Sequence, residues 1–253
     1  PMIYDSDGWI IGRDTVFRDG GLFPVIGIVP VRPLFMASLY LNYAVAGMDP
    51  WSFRVVNALI LVMAGCALAW MILGLLEIPR LAIPGTFWEK RAVAFGLALI
   101  FVAHPLQSFV VLYIWQREAI MACFFYFSCF YLYLEMRSGR WKNPVIAYIS
   151  LSVLFFLGLL CKENLCTLPV VLGAAEVVLF PENLRKTAQR LFLIVILAAP
   201  AFILYVLVTH HLRAPNTQDT WNVIDRLAGY YQASGISLVQ VILTECRVFF
   251  SYL

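Results

Sequence analysis

Residues 55–76 read VVNALILVMAGCALAWMILGLL, twenty-two consecutive positions without an Asp, Glu, Lys or Arg. A bilayer core takes about 20 mostly apolar residues per helix. A helix in water keeps a polar face, and this one has none. The stretch reads as a transmembrane helix closed off by Arg54 and Glu77.

Working outward from that helix, similar runs recur along the chain. Spans are expected at about 54–77, 91–115, 117–135, 144–161, 165–180 and 188–209. The fourth and fifth are slightly short but carry almost no charge inside. The second is interrupted by His104 and Pro105. It is either one kinked span or a short span followed by an interfacial helix, because proline removes a backbone donor and clashes with the preceding turn. Residues 210–237 have the polarity of a loop, and 238–253 read as the start of a further membrane helix. Residues 31–46 are apolar but short, with Asn42 inside and Arg32 at the head. Length favours a helix lying along the interface over a span, so 1–53 is expected to form a first extracytoplasmic loop containing it. Tryptophans 9, 51, 88, 115, 141 and 221 near span ends suit interfacial anchoring.

Composition agrees. The chain is 62% hydrophobic and 13% charged, against about 25% charged in soluble domains, and its mean hydropathy is +0.83. The expected fold class is all-α, a polytopic integral membrane protein whose first partner is membrane lipid. A net charge of +3 without one basic patch speaks against nucleic acid. The six cysteines lie in or beside apolar runs and form no CxxC pair, which argues against a disulfide framework or a zinc site. No charged-then-apolar order marks a secretory signal in residues 1–30. Pro1 ahead of Met2 and an end inside an apolar stretch give the expectation of an internal piece of a longer protein.

Orientation follows from Lys and Arg near span ends. Arg80, Lys90 and Arg91, then Arg137, Arg140 and Lys142, then Arg185, Lys186 and Arg190 occupy alternate connections. These are expected to face the cytoplasm. Arg32, His104, Arg117, Glu118, Lys162, Glu163, His210, His211 and Arg213, with Asp5 and Asp7, then share the opposite layer. Charges at membrane depth are costly and usually face a cavity. Arg117-Glu118 and Lys162-Glu163 read either as salt-bridged helix ends or as members of an outward cavity. Glu176, inside an apolar run, reads as a structural hydrogen-bonding group near the cytoplasmic end of its helix.

Carboxylates beside cations at one depth suit a particular chemistry. A carboxylate takes the proton of an attacking hydroxyl, while Arg and Lys neutralise the phosphate of a departing lipid carrier. A transporter for an anionic solute would use similar residues, although no internal repeat of the kind transporters often carry is found.

Several segments also resemble a known family. Arg32, Pro33 and Leu34, then Leu41-Asn42, Gly47, Pro50-Trp51 and Val56-Asn57, resemble the early part of the GT-C membrane glycosyltransferases. The similarity is greatest to the protein O-mannosyltransferase-like branch that carries tetratricopeptide repeats. His104, Pro105 and Leu106 with Tyr113-Ile114 and Gln116-Arg117 look like that branch's next outer loop. Leu160, Cys161, Lys162, Glu163 and Asn164, then Thr167, Leu168, Pro169 and Glu176, are similar to the signature that follows. The blocks run in order from about residue 30 to 180.

The resemblance implies a GT-C-like helical bundle with an extracytoplasmic active site, in a bacterial inner membrane or, in a eukaryote, on the lumenal side of the endoplasmic reticulum. It implies transfer of a sugar from a polyprenyl-phosphate donor to an acceptor hydroxyl on a protein or glycan. Asp5 or Asp7 is then the catalytic carboxylate. Arg32, Arg117 and Lys162 hold the lipid phosphate, and His104, Glu118 and Glu163 line the cavity. No tightly bound cofactor is expected, and a divalent metal is left open. Ser108 and Phe109 stand where the branch often has Glu, and Glu118 follows Arg117 directly where relatives carry Asp a step or two later. Two alternatives remain: a non-catalytic transporter or assembly scaffold, and ligation of a whole lipid-linked oligosaccharide.

Overall fold

A computed structural model describes residues 32–47, 49–141, 143–180 and 184–212. Asp5, Asp7, residues 213–237 of the loop expected at 210–237 and the helix expected at 238–253 lie outside the described residues; residues 210–212 continue the last helix instead of opening that loop. The helices are α1 (Pro33–Ala46), α2 (Pro50–Leu76), α3 (Phe87–Ala103), α4 (Gln107–Leu112), α5 (Arg117–Arg137), α6 (Pro144–Leu159), α7 (Leu168–Leu179) and α8 (Leu184–Leu212). Single 3-10 turns occupy Pro79–Leu81, Ile114–Gln116 and Glu163–Thr167. Among the described residues there is no strand, and the chain is an all-α polytopic membrane protein.

Local chemistry explains several boundaries. Asp49 caps α2, accepting from the amides of Trp51 and Ser52, both at 3.2 Å, with Pro50 at the first position. Asn143 does the same for α6. Helix α3 begins at Phe87, four residues before its expected start, because Thr86 and Glu89 form a capping box. The Thr86 hydroxyl accepts from the Glu89 amide at 3.3 Å, and the Thr86 amide donates to the Glu89 carboxylate at 2.6 Å. The sequence pattern Thr-x-x-Glu was present, but hydropathy alone passed over it. At the far end α3 stops before His104, and the separate short helix α4 follows the turn. Of the two readings of 91–115, a single kinked helix is not the one formed.

Three of the expected spans fall on helices long and apolar enough to cross a membrane: Pro50–Leu76, Ile114–Arg137 and Arg185–Val208. In their most apolar windows only 39%, 33% and 18% of residues are buried in the protein. So much apolar surface left outside the core is what a lipid environment covers. The other three fall on α3, α6 and α7, with 17, 16 and 12 residues. The shortest is preceded by the 3-10 turn Glu163–Thr167, which occupies the start of the expected 165–180 run.

Helix α2 packs along α5 and α3, α5 along α6, and α8 against α6 and α7. Small residues set the closest approaches, as is usual where lipid supplies no hydrophobic drive between helices. A β-carbon on Gly65 of α2 would lie 2.4 Å from Val102 Cγ2 of α3. One on Gly158 of α6 would lie 2.1 Å from Leu165 Cδ2 and 2.9 Å from Phe125 Cβ of α5. The second site packs α6 against Phe125 of α5 and against Leu165 of the turn that follows α6; Lys162 and Glu163 lie in the same stretch.

At the end of the bundle expected to be cytoplasmic, charges tie the helices together. Arg140 pairs with Glu77 and, at 2.5 Å, with Glu135. Lys90 Nζ donates to the Leu76 carbonyl at 2.9 Å, joining α3 to the end of α2. The fully buried Glu176 accepts from Arg137 Nε at 2.8 Å and from the Tyr133 hydroxyl. This is the structural hydrogen bonding expected for it.

Candidate functional site

At the opposite end four charged residues from three segments meet. Arg32 precedes Pro33 and so stands just ahead of α1. The α1 entry is pinned to the end of α6 by a backbone bond, Leu34 N–H to Leu160 O at 3.1 Å. Glu118 is the second residue of α5, where the helix dipole favours a carboxylate. Lys162 and Glu163 leave α6 through a tight turn in which the Cys161 and Lys162 amides both donate to Gly158 O at 3.0 Å.

The guanidinium of Arg32 grips Glu163 with two bonds, Nε to Oε2 at 3.1 Å and a terminal nitrogen to Oε1 at 2.7 Å. Its other terminal nitrogen donates to Glu118 Oε2. Lys162 Nζ donates to Glu118 Oε1 at 3.0 Å. The result is an alternating row, Lys162, Glu118, Arg32, Glu163, with Glu118 almost buried and Glu163 half exposed. Neither adjacent pair in the sequence is a salt bridge: Lys162 bonds Glu118 rather than Glu163, and Arg117 points away from Glu118.

Electrostatics favours the charged forms of Arg32 and Glu163. Burial alone would lower the pKa of Arg32. The hydrogen bond from Arg32 to Glu163 and the charges of Glu118 and Glu163 outweigh it and raise the guanidinium above its ordinary value. Burial would raise the Glu163 carboxyl. The Arg32 hydrogen bond, the residue's own backbone amide and the charges of Arg32 and Lys162 hold it below the usual carboxylate range. Arg32 uses three of its five N–H groups and Lys162 one of three in bonds among the described residues. Both retain donors for an anion.

Arg117 is placed differently from the other two expected phosphate ligands. Its side chain is 0% exposed. Nε donates to Asn57 Oδ1 at 2.6 Å, and the terminal nitrogens donate to Asn42 Oδ1 at 2.8 Å and to the Ser38 and Phe53 carbonyls at 3.1 Å. It stitches α1 and α2 to the start of α5. Asn42 and Asn57, both buried, complete this joint. Sequence reasoning noted them without a role, although a lone Asn inside an apolar run is the signal that a polar partner must reach it.

His104 is exposed and caps its own turn, its Nδ1 accepting from the Leu106 amide at 3.2 Å. It makes no contact with the charged row. Among the described residues no group of three His, Cys, Asp or Glu side chains could hold a metal ion.

Fold and site together define a polytopic membrane protein with a compact ion network at one end of its bundle. The chain is 26% identical over 146 residues to "Protein O-mannosyl-transferase Tmtc1" of Drosophila melanogaster, covering 58% of this chain and 15% of that protein. It is 28% identical over 150 residues to "Protein O-mannosyl-transferase Tmtc2" of the same fly, with the same coverages. It is 28% identical over 102 residues to "Protein O-mannosyl-transferase TMTC1" of Mus musculus, covering 40% of this chain and 10% of that one. The chain thus spans about a sixth or less of the length of these relatives. No family model matches it, and no solved structure does.

Proposed function

We propose that this chain belongs to a membrane glycosyltransferase of the GT-C type, which moves a sugar from a polyprenyl-phosphate donor to an acceptor hydroxyl on a protein. The carrying observation is the row Lys162, Glu118, Arg32, Glu163: two cations with donors to spare, held in place by carboxylates at the end of the bundle away from the basic loops. The names of the relatives favour mannose as the sugar. On this reading the site faces the periplasm of a bacterium or the lumen of the endoplasmic reticulum.

The reaction assigns a part to each group. Asp5 or Asp7 takes the proton of the acceptor hydroxyl. The hydroxyl oxygen bonds to the anomeric carbon as the bond from that carbon to the phosphate oxygen breaks. Polyprenyl phosphate leaves with one additional negative charge, which the free N–H groups of Arg32 and Lys162 stabilise. Glu118 and Glu163 orient those cations. Arg117, buried and with four of its five donors spent on α1 and α2, is a positioning residue that fixes where Glu118 emerges.

The test uses the full-length parent protein in nanodiscs, supplied with polyprenyl-phosphate mannose and an acceptor protein. Release of free polyprenyl phosphate is followed for the wild type and for Asp5→Asn, Asp7→Asn and Arg32→Gln. Loss of release in Arg32→Gln and in at least one Asp variant supports the reading. Undiminished release in both Asp variants removes the aspartates from the chemistry. A wild type that neither releases nor binds the lipid sinks the transferase reading and leaves the transporter or scaffold.

A further inference from the structure

The seam between α6 and α8, toward the basic end of the bundle, carries a feature that the transfer chemistry does not use. A narrow slot opens between α5, α6, α7 and α8 with a volume of about 40 Å³. At about 10–15 Å³ for each water-sized occupant, it accommodates three or four methylene-sized groups. Leu151, Phe155, Leu172, Ile194 and Ala198 wall it, and Tyr148 and Arg190 stand at its mouth. Arg190 and Ala198 are eight residues apart on α8, so the lining residues are spread over about 12 Å of that helix. Two wider depressions continue the same seam outward, one along Tyr148, Ile149 and Leu193, the other beside Lys186, Gln189 and Arg190.

The charge at the mouth is uncommitted. Arg32, Arg137, Arg140 and Lys162 each hold a carboxylate. Arg190, half-buried in the seam, pairs with no carboxylate among the described residues. It donates to the Tyr148 hydroxyl at 3.3 Å, leaving that hydroxyl's own proton for another acceptor. Lys186 lies one turn earlier on the same face of α8 and is exposed. Beside the Arg190 cation and the Tyr148 phenol, a mostly apolar slot, with Arg137 already committed to Glu176, matches an amphiphile with an anionic head and a flexible chain. A free phosphate would leave the apolar slot empty.

We propose that the α6–α8 seam binds one anionic phospholipid from the leaflet on the basic-loop side, its phosphate at Arg190, Lys186 and Tyr148 and three or four carbons of an acyl chain in the slot. Basic groups near that leaflet attract anionic lipids, and apolar space inside a bilayer is filled by chains rather than water. The site shares none of its head-group residues, Arg190, Lys186 and Tyr148, with the Arg32 row. It stands whether or not the chain transfers sugars.

Native mass spectrometry of the full-length parent protein tests this, with phosphatidylglycerol as the probe and phosphatidylcholine and inorganic phosphate as comparisons. The wild type retains a phosphatidylglycerol that neither comparison displaces. Each cation near the surface contributes about a fivefold factor. Arg190→Gln then weakens retention about fivefold and the Lys186→Gln/Arg190→Gln double variant about thirtyfold, while Arg190→Lys retains it. Ser152→Leu, which fills the slot, also lowers retention. Retention unchanged by the double variant overturns the head-group site. Retention unchanged by a folded Ser152→Leu, or displacement by inorganic phosphate, overturns the chain-in-slot site. The head-group variants sit on exposed or half-buried positions, so the test survives if Ser152→Leu does not fold.

Discussion

Replacing Glu118 by Gln is the sharpest probe of the charged row, because one carboxylate there serves two cations. At 3.0 Å from Lys162 Nζ, opposite unit charges attract by about 5.5 kcal/mol at an effective dielectric of about 20. Desolvating both groups takes back more than half of that. Lys162 is 22% exposed and Glu118 6%, so water screens the pair only in part. A net cost of about 2 kcal/mol is expected on losing the carboxylate, below the about 3–5 kcal/mol of a fully buried pair. Arg32 keeps Glu163, so the uncompensated charge is Lys162. In a thermal unfolding assay in detergent the melting temperature falls by about 4–8 °C. Combining Glu118→Gln with Lys162→Met removes the stranded cation, and the double variant is expected to regain about 1 kcal/mol over the sum of the singles. A double variant that loses the full sum would show that the two residues are not energetically coupled, and Glu118 would not be what holds Lys162 in the row.

Other expectations follow from the same geometry. Because the folded-state pKa of Glu163 is depressed, the stabilisation it provides is complete above the unfolded value, about 4.3, and is lost as pH falls through the folded one. Melting temperature against pH shows this acid limb, and Glu163→Gln flattens it; an unchanged limb would remove Glu163 as its source. Gly158→Ala places a β-carbon 2.9 Å from Phe125 Cβ and is expected to cost about 1–3 kcal/mol through overpacking. Gly96→Ala, with nothing within 4 Å, is expected to be neutral or slightly stabilising, so equal effects would refute the packing of α6 on α5. Arg117→Lys cannot span four acceptors from one nitrogen. Three N–H donors for four acceptors leave at least one unmet, so the change costs about 1–3 kcal/mol and speeds hydrogen exchange in α1; exchange at wild-type rates would exclude Arg117 as the joint.

Much of the fold was legible in one dimension. Whether a stretch can leave water depends on the length of its apolar run, so the helices of 55–76 and 188–209 could be read directly, as could the grouping of charged residues at span ends. The capping box at Thr86 was legible too, since its two partners are three residues apart. What the sequence could not determine was which charge meets which. Arg117 and Glu118 are neighbours in sequence, yet consecutive side chains on a helix diverge by about 100°. One turns inward to Asn42 and Asn57 while the other faces Arg32 and Lys162. The bonds that form the row join residues 44, 86 and 131 positions apart. No local pattern encodes such partners; the packing of α1, α5 and the turn after α6 selects them, because a charge at that depth is stable only where the folded chain brings its counter-charge.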